Sequence, residues 1–187
     1  MTLASAERRL ADWLEQLPDL PRLPVLRVLD LGCGTANGAH AIRQRWPNAA
    51  IMGIDQNFGA LTAAPPFVCT LHADVRLLPF DQPVFSLIII RHPDVFRRPD
   101  SWQKAINSAG RLLQRNGCLL VTCYSLPEAE RIGIWLRNDW AQYGQNVPLR
   151  HDIITPADII DHDRFAFAWQ FEPNSLHPST PSPVVGR

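Results

Sequence analysis

The sequence predicts an α/β fold: a doubly wound, mainly parallel sheet with an N-terminal helix and a C-terminal antiparallel strand pair. Three observations carry this. Strand-sized apolar runs alternate with amphipathic helical stretches along most of the 187 residues, the pattern of parallel strands joined by crossover helices. The segment Val84 to Ile90 is nearly continuous in Val, Leu and Ile, as a strand covered on both faces must be. The run Val28-Leu29-Asp30-Leu31 leads straight into the glycine-rich turn Gly32-Cys33-Gly34-Thr35-Ala36-Asn37-Gly38, the strand-to-helix junction where such sheets approach ligands.

The elements follow in order. Leu10, Trp13, Leu14 and Leu17 fall on one face of a helix over Ser5 to Leu17, and Pro18, Pro21 and Pro24 end it. A first strand over Val25 to Leu31 leads through the glycine turn into a helix from Asn37 or Gly38 to about Trp46. A second strand over Ala49 to Ile54 ends at Asp55. Phe58 to Ala64 reads as a short helix, Phe67 to Leu71 as a third strand and Val84 to Ile90 as the fourth. Trp102, Ala105, Ile106, Ala109, Leu112 and Leu113 mark an amphipathic helix. Asn116-Gly117 then turns the chain into a fifth strand, Cys118 to Tyr124. Ser125-x-x-Glu128 is a capping-box pattern heading a helix to about Ala141. Leu149 to Ile154 and Arg164 to Phe171 read as the terminal antiparallel pair. The boundaries are therefore a helix and proline-rich connector over 1–24, a ligand-binding domain over 25–172 and a disordered Pro/Ser-rich tail over 173–187.

Composition narrows the function. A hydrophobic fraction of 46% is ordinary for a folded protein, and the formal net charge is zero. No overall field draws the chain to nucleic acid or an anionic membrane, although a local patch could still serve the former. No apolar run approaches the roughly 20 residues of a membrane span. The cysteines Cys33, Cys69, Cys118 and Cys123 show no C-x-x-C pairing, so they read as reduced thiols of a cytoplasmic protein without a metal site.

Asp30 is the discriminating residue of the glycine turn. A carboxylate two residues before the first glycine would repel a pyrophosphate, but it suits a ligand with an ammonium and a sulfonium. The spacing Gly32-x-Gly34-x-x-x-Gly38 also has one residue too many for the dinucleotide fingerprint. This stretch resembles motif I of the class I S-adenosyl-L-methionine (SAM) dependent methyltransferases. Asp55, about 20 residues on, can accept hydrogen bonds from both ribose hydroxyls. It resembles motif II of that family, with Gln56 and Asn57 beside the nucleoside. His72-Ala73-Asp74-Val75-Arg76-Leu77-Leu78-Pro79-Phe80 is similar to the family's adenine segment, which implies that Asp74 and Val75 hold the base. The resemblance implies a Rossmann-like sheet of order 3-2-1-4-5-7-6. It implies SAM as cofactor, bound by Asp30, Gly32, Gly34, Asp55, Gln56, Asn57, Asp74 and Val75.

The acceptor side is less defined. The fourth strand ends Ile90-Arg91-His92-Pro93-Asp94-Val95-Phe96 and matches none of three subfamily motifs: the N-P-P-Y type, a metal-binding aspartate set, or the P-D-P-W-P-K type. His92 is the candidate general base and Arg91 the candidate holder of an anionic substrate. The expectation is a methyltransferase acting on a small-molecule acceptor. Two other classes stay open: a SAM-binding regulatory protein without methyl transfer, and an RNA or protein methyltransferase that needs a partner subunit.

Overall fold

The structure is a computed structural model that describes residues 5–21, 24–141, 143–150 and 163–171. A seven-stranded sheet forms its middle layer. The strands are β1 (Arg27–Leu31), β2 (Ala50–Asp55), β3 (Val68–His72), β4 (Phe85–Arg91), β5 (Leu113–Cys123), β6 (Gly144–Val147) and β7 (Phe165–Phe171). Their order is β3-β2-β1-β4-β5-β7-β6. The first five run parallel to one another, and β7 runs antiparallel to both β5 and β6.

Alternation along the strands divides the core into two layers. Val28, Ile51, Leu87, Ile89 and Leu120 face the helices α1 (Ser5–Glu15) and α2 (Ala39–Arg45). Leu29, Leu31, Ile54, Ile88, Ile90 and Val121 face α4 (Pro99–Leu112) and α5 (Leu126–Trp135). Helices on both faces explain why β4 is apolar without interruption: six of its residues are buried. The short α3 (Phe58–Leu61) packs beside β2 and β3, its first turn capped by the Asn57 side chain.

The structure departs from the expected elements in three places. The edge strand of the terminal pair is Gly144–Val147, with Val147 opposite Ala168, rather than a segment beginning at Leu149. Residues 151–154 of that expected strand lie outside the described residues, as does the tail over 173–187. The helix after Ser125 is α-helical only to Trp135, and its last turn, Leu136–Trp140, widens to a π-helix. That turn is tied to α4 through Asp139, whose Oδ2 accepts from Gln103 Nε2 (3.0 Å) and Asn107 Nδ2 (3.2 Å). Finally, β5 starts before the Asn116-Gly117 turn, which survives as a bulge. Phe85 pairs with Leu113 but Leu87 with Cys118, and Asn116 takes φ 61°.

The capping box is present. Ser125 Oγ accepts from Glu128 N, and Glu128 Oε2 accepts from the amides of Ser125 and Tyr124. Ser125→Ala should therefore lower unfolding stability by about 1 kcal/mol, read from the midpoint of urea denaturation at unchanged slope.

Candidate active site

The carboxyl ends of β1, β2 and β3 open into one cleft of about 390 Å³, within the range of small-molecule pockets. Gly32, Asp55, Gln56, Asp74 and Val75 line it, together with Arg76, Arg98, Ser101 and Trp102. Positions expected to act together from three separate motifs thus share one cavity.

Gly32 forms its floor. Its φ is +73°, and a Cβ there would come within 2.5 Å of the Trp102 ring, so only glycine fits under that indole. The amides of Gly32 and Cys33 both donate to the Ile54 carbonyl, at 2.8 and 3.0 Å, which binds the turn to the end of β2. Asp55 secures it from the other side. Oδ2 accepts from the Gly34 amide at 2.8 Å and Oδ1 from the Asn57 amide at 2.7 Å. Each oxygen keeps a lone pair for a ligand hydroxyl, and the two backbone bonds fix the direction in which those lone pairs point. Between the glycines, burial and the Asp30 and Asp55 carboxylates push the Cys33 thiol well up, so it stays protonated and unreactive.

Gln56 lines the cleft, and its carbonyl lies 2.9 Å from His72 Nε2. Asp74 is held by its neighbour: Arg76 donates its backbone amide to Oδ1 (2.8 Å) and its guanidinium to both oxygens. Those bonds lower the Asp74 pKa. The Arg76 guanidinium therefore competes with any ligand amine for this carboxylate.

Asp30 lies deeper, at the end of β1, and is only 3% exposed. Burial pushes its pKa up to about 6; Arg91 pulls it down, while Asp163 and Asp55 add to the rise. Arg91 does not extend into open space. Its Nε and Nη2 form a bidentate pair with Asp163, at 3.0 and 2.5 Å. Asp163 is fully buried. It also accepts a short hydrogen bond from Thr122 Oγ1, and its backbone carbonyl takes the Trp13 indole N–H at 2.7 Å. His92 has φ 52°, stacks on the Tyr124 ring at 3.6 Å between centroids, and places Nε2 3.2 Å from Asp163 Oδ1. Burial alone would raise Asp163, but His92 and Arg91 outweigh it and hold the carboxyl well below the usual range.

The structure thus brings Gly32, Asp55, Gln56, Asp74 and Val75 to one cleft, leaves Asp30, Gly34 and Asn57 outside its lining, and gathers Arg91 and His92 around a carboxylate that sequence reasoning missed. Asp163 lies 72 residues from Arg91 in a locally polar stretch with no motif to mark it. Trp102 was legible only as a helix-face residue. Nothing in its spacing signals that the ring reaches over Gly32.

A methyltransferase-domain family model matches residues 28–117, from β1 into β5. The chain is 43% identical over 60 residues to trans-aconitate 2-methyltransferase of Streptomyces avermitilis, covering 32% of this chain and 22% of that protein. It is 30% identical over 123 residues to malonyl-[acyl-carrier protein] O-methyltransferase of Legionella pneumophila, covering 61% and 40%. Over residues 28–117 the chain matches a methyltransferase domain and resembles the class I SAM-dependent methyltransferase family. SAM is that family's methyl donor. The crystal structure of the SAM-dependent methyltransferase SibL shares the fold, with TM-score 0.62 and 17% identity over 89% of this chain and 55% of that one. The chain spans between a fifth and two fifths of the two curated relatives' length. The family match ends before Thr122, Tyr124 and Asp163. No described helix is long and apolar enough to cross a membrane, and no cluster of metal-ligating side chains occurs among the described residues.

The two shifted carboxylates give opposite pH signatures. Asp163, depressed in the folded state, contributes stability above the ordinary carboxylate value near pH 4, and this is lost as pH falls below it. Asp30, raised to about 6, does the reverse. Between about pH 4 and 6 the folded state binds a proton that the unfolded state does not, so stability rises as pH falls through that window. Melting temperatures of the wild type and Asp30→Asn should therefore converge or cross between pH 4 and 6, with the wild type losing ground as pH rises. Parallel curves would remove the shift at Asp30.

Proposed function

We infer that the protein binds SAM across the carboxyl ends of β1, β2 and β3 and transfers its methyl group to a small-molecule acceptor over the ends of β4 and β5. The observation that carries this is the meeting of Gly32, Asp55 and Asp74 in a single cleft, in a chain whose family match covers those strands. The residues present fit the cofactor. Gly32 and the Trp102 ring packed on it line the cleft together, the Asp55 oxygens have lone pairs for a ribose diol, and buried Asp30 suits a cationic amine.

Bound SAM supplies a methyl group on a cationic sulfonium. The chain's own task is then to orient the nucleoside through Asp55, to keep water from the buried end through Leu31, Trp102 and the β4 terminus, and to present the acceptor in line. His92 is the candidate base for an acceptor that must lose a proton. Its Nε2 faces Asp163 and its Nδ1 is buried as well, which weakens that role. Trans-aconitate and the malonyl group, named for the two relatives, both carry carboxylates, which supports a small acidic acceptor. Because Arg91 is committed to Asp163, the cations left for such an acceptor on this loop are the exposed Arg97 and Arg98. The engagement of both Arg91 and His92 by Asp163 also favours a second reading, a SAM-binding protein without methyl transfer.

Calorimetric titration with S-adenosylhomocysteine tests the shared core of both. Asp55→Ala removes charged hydrogen bonds to the ribose and should weaken binding by about 1.5–3 kcal/mol. Unchanged affinity in a folded variant would take Asp55 out of the site. Turnover of labelled SAM against a panel of small organic acids separates the enzyme from the binding protein.

A further inference from the structure

Three neighbouring strands set a row of polar side chains on one face of the sheet at its carboxyl edge. Asp30 of β1 is level with Ile89 of β4, and Arg91, two residues further, shares that face; Thr122 of β5 is level with Arg91. Asp163 closes over the row and accepts from both Arg91 and Thr122. Arg91 thus sits between two buried carboxylates and is spent on one. Its third nitrogen, Nη1, lies against Gly38, where a Cβ would come within 3.1 Å of it.

We propose that Asp163 is a positioning residue of the cofactor site: it holds the Arg91 guanidinium away from Asp30 and so leaves the Asp30 carboxylate for the ammonium of SAM. This rests on the cofactor reading above. With Asp30 ionised, the three groups carry one negative charge in excess, which a bound ammonium neutralises. Asp163→Asn removes that excess. Arg91 then keeps a single ionised neighbour in its field, Asp30, and a buried guanidinium left without its partner pairs with the carboxylate in reach. An incoming ammonium meets an occupied carboxylate and a facing cation. The double variant R91M/D163N abolishes the same bridge but restores the single excess negative charge at Asp30.

Titration of the full chain with S-adenosylhomocysteine, alongside circular dichroism melts, separates the cases. D163N should bind at least about tenfold more weakly than wild type, the scale of a lost hydrogen bond to a charged group. R91M/D163N should return to within about threefold of wild type. A bridge that only held the fold together would leave the double variant as weak as the single one, and that result overturns the proposal. So does wild-type affinity in folded D163N. If D163N does not fold, R91M/D163N decides alone: near-wild-type binding supports the proposal, and lost binding in the folded double variant overturns it. A wild type that binds neither S-adenosylhomocysteine nor SAM overturns the cofactor reading first and this inference with it.

Discussion

The buried carboxylate of Asp163 is the constraint around which the carboxyl edge of the sheet is organised. A fully buried anion is tolerated only when a charged partner and further hydrogen-bonding groups surround it. Here Arg91, Thr122 and His92 do so from β4, β5 and the turn that follows β4. The Asp163 backbone adds α1 through the Trp13 indole. One residue thereby joins the N-terminal helix, two central strands and the entry to β7. Once those groups are fixed, the direction of the β4–α4 loop is fixed too, and with it the place of Trp102 above Gly32.

That arrangement divides the site by charge. The end at β1 and β2 is built from backbone amides locked by Asp55, whose position depends on the Gly32–Gly34 turn as much as the turn depends on it. The deep end is acidic, with Asp30 desolvated and raised while the neighbouring cation is committed elsewhere. A neutral or anionic ligand gains little there. A ligand with an amine and a sulfonium relieves the excess, in keeping with the methyl donor that the family match implies.

Much of this was legible in the residues. Periods of 2 and 3.6 placed the central strands and their helices, and a parallel sheet puts ligand groups at strand ends, which made Asp30, Gly32, Asp55 and Asp74 stand out. The exception among the strands has a physical cause. The edge strand Gly144–Val147 is polar and half exposed, so it lacks the apolar signature that made Leu149 to Ile154 look like a strand. The site's remainder depends on tertiary contacts that leave no local pattern. Arg91 read as a substrate-holding cation because it follows a buried strand, and nothing within 70 residues shows that Asp163 neutralises it. Trp102 fits the apolar face of its helix, yet its ring ends over a glycine from a different layer. Asp74 was legible as a strand-end residue of the cleft, but not the grip of Arg76 on both its oxygens.

Hydrogen–deuterium exchange with and without S-adenosylhomocysteine tests the location of the cofactor most directly. The account predicts that added protection concentrates in Leu31–Gly34, Asp55–Asn57 and Asp74–Arg76, the three strand-end segments around the cleft, with β6 and the outer face of α5 unchanged. Protection centred on α5, or no change at saturating ligand, would contradict it.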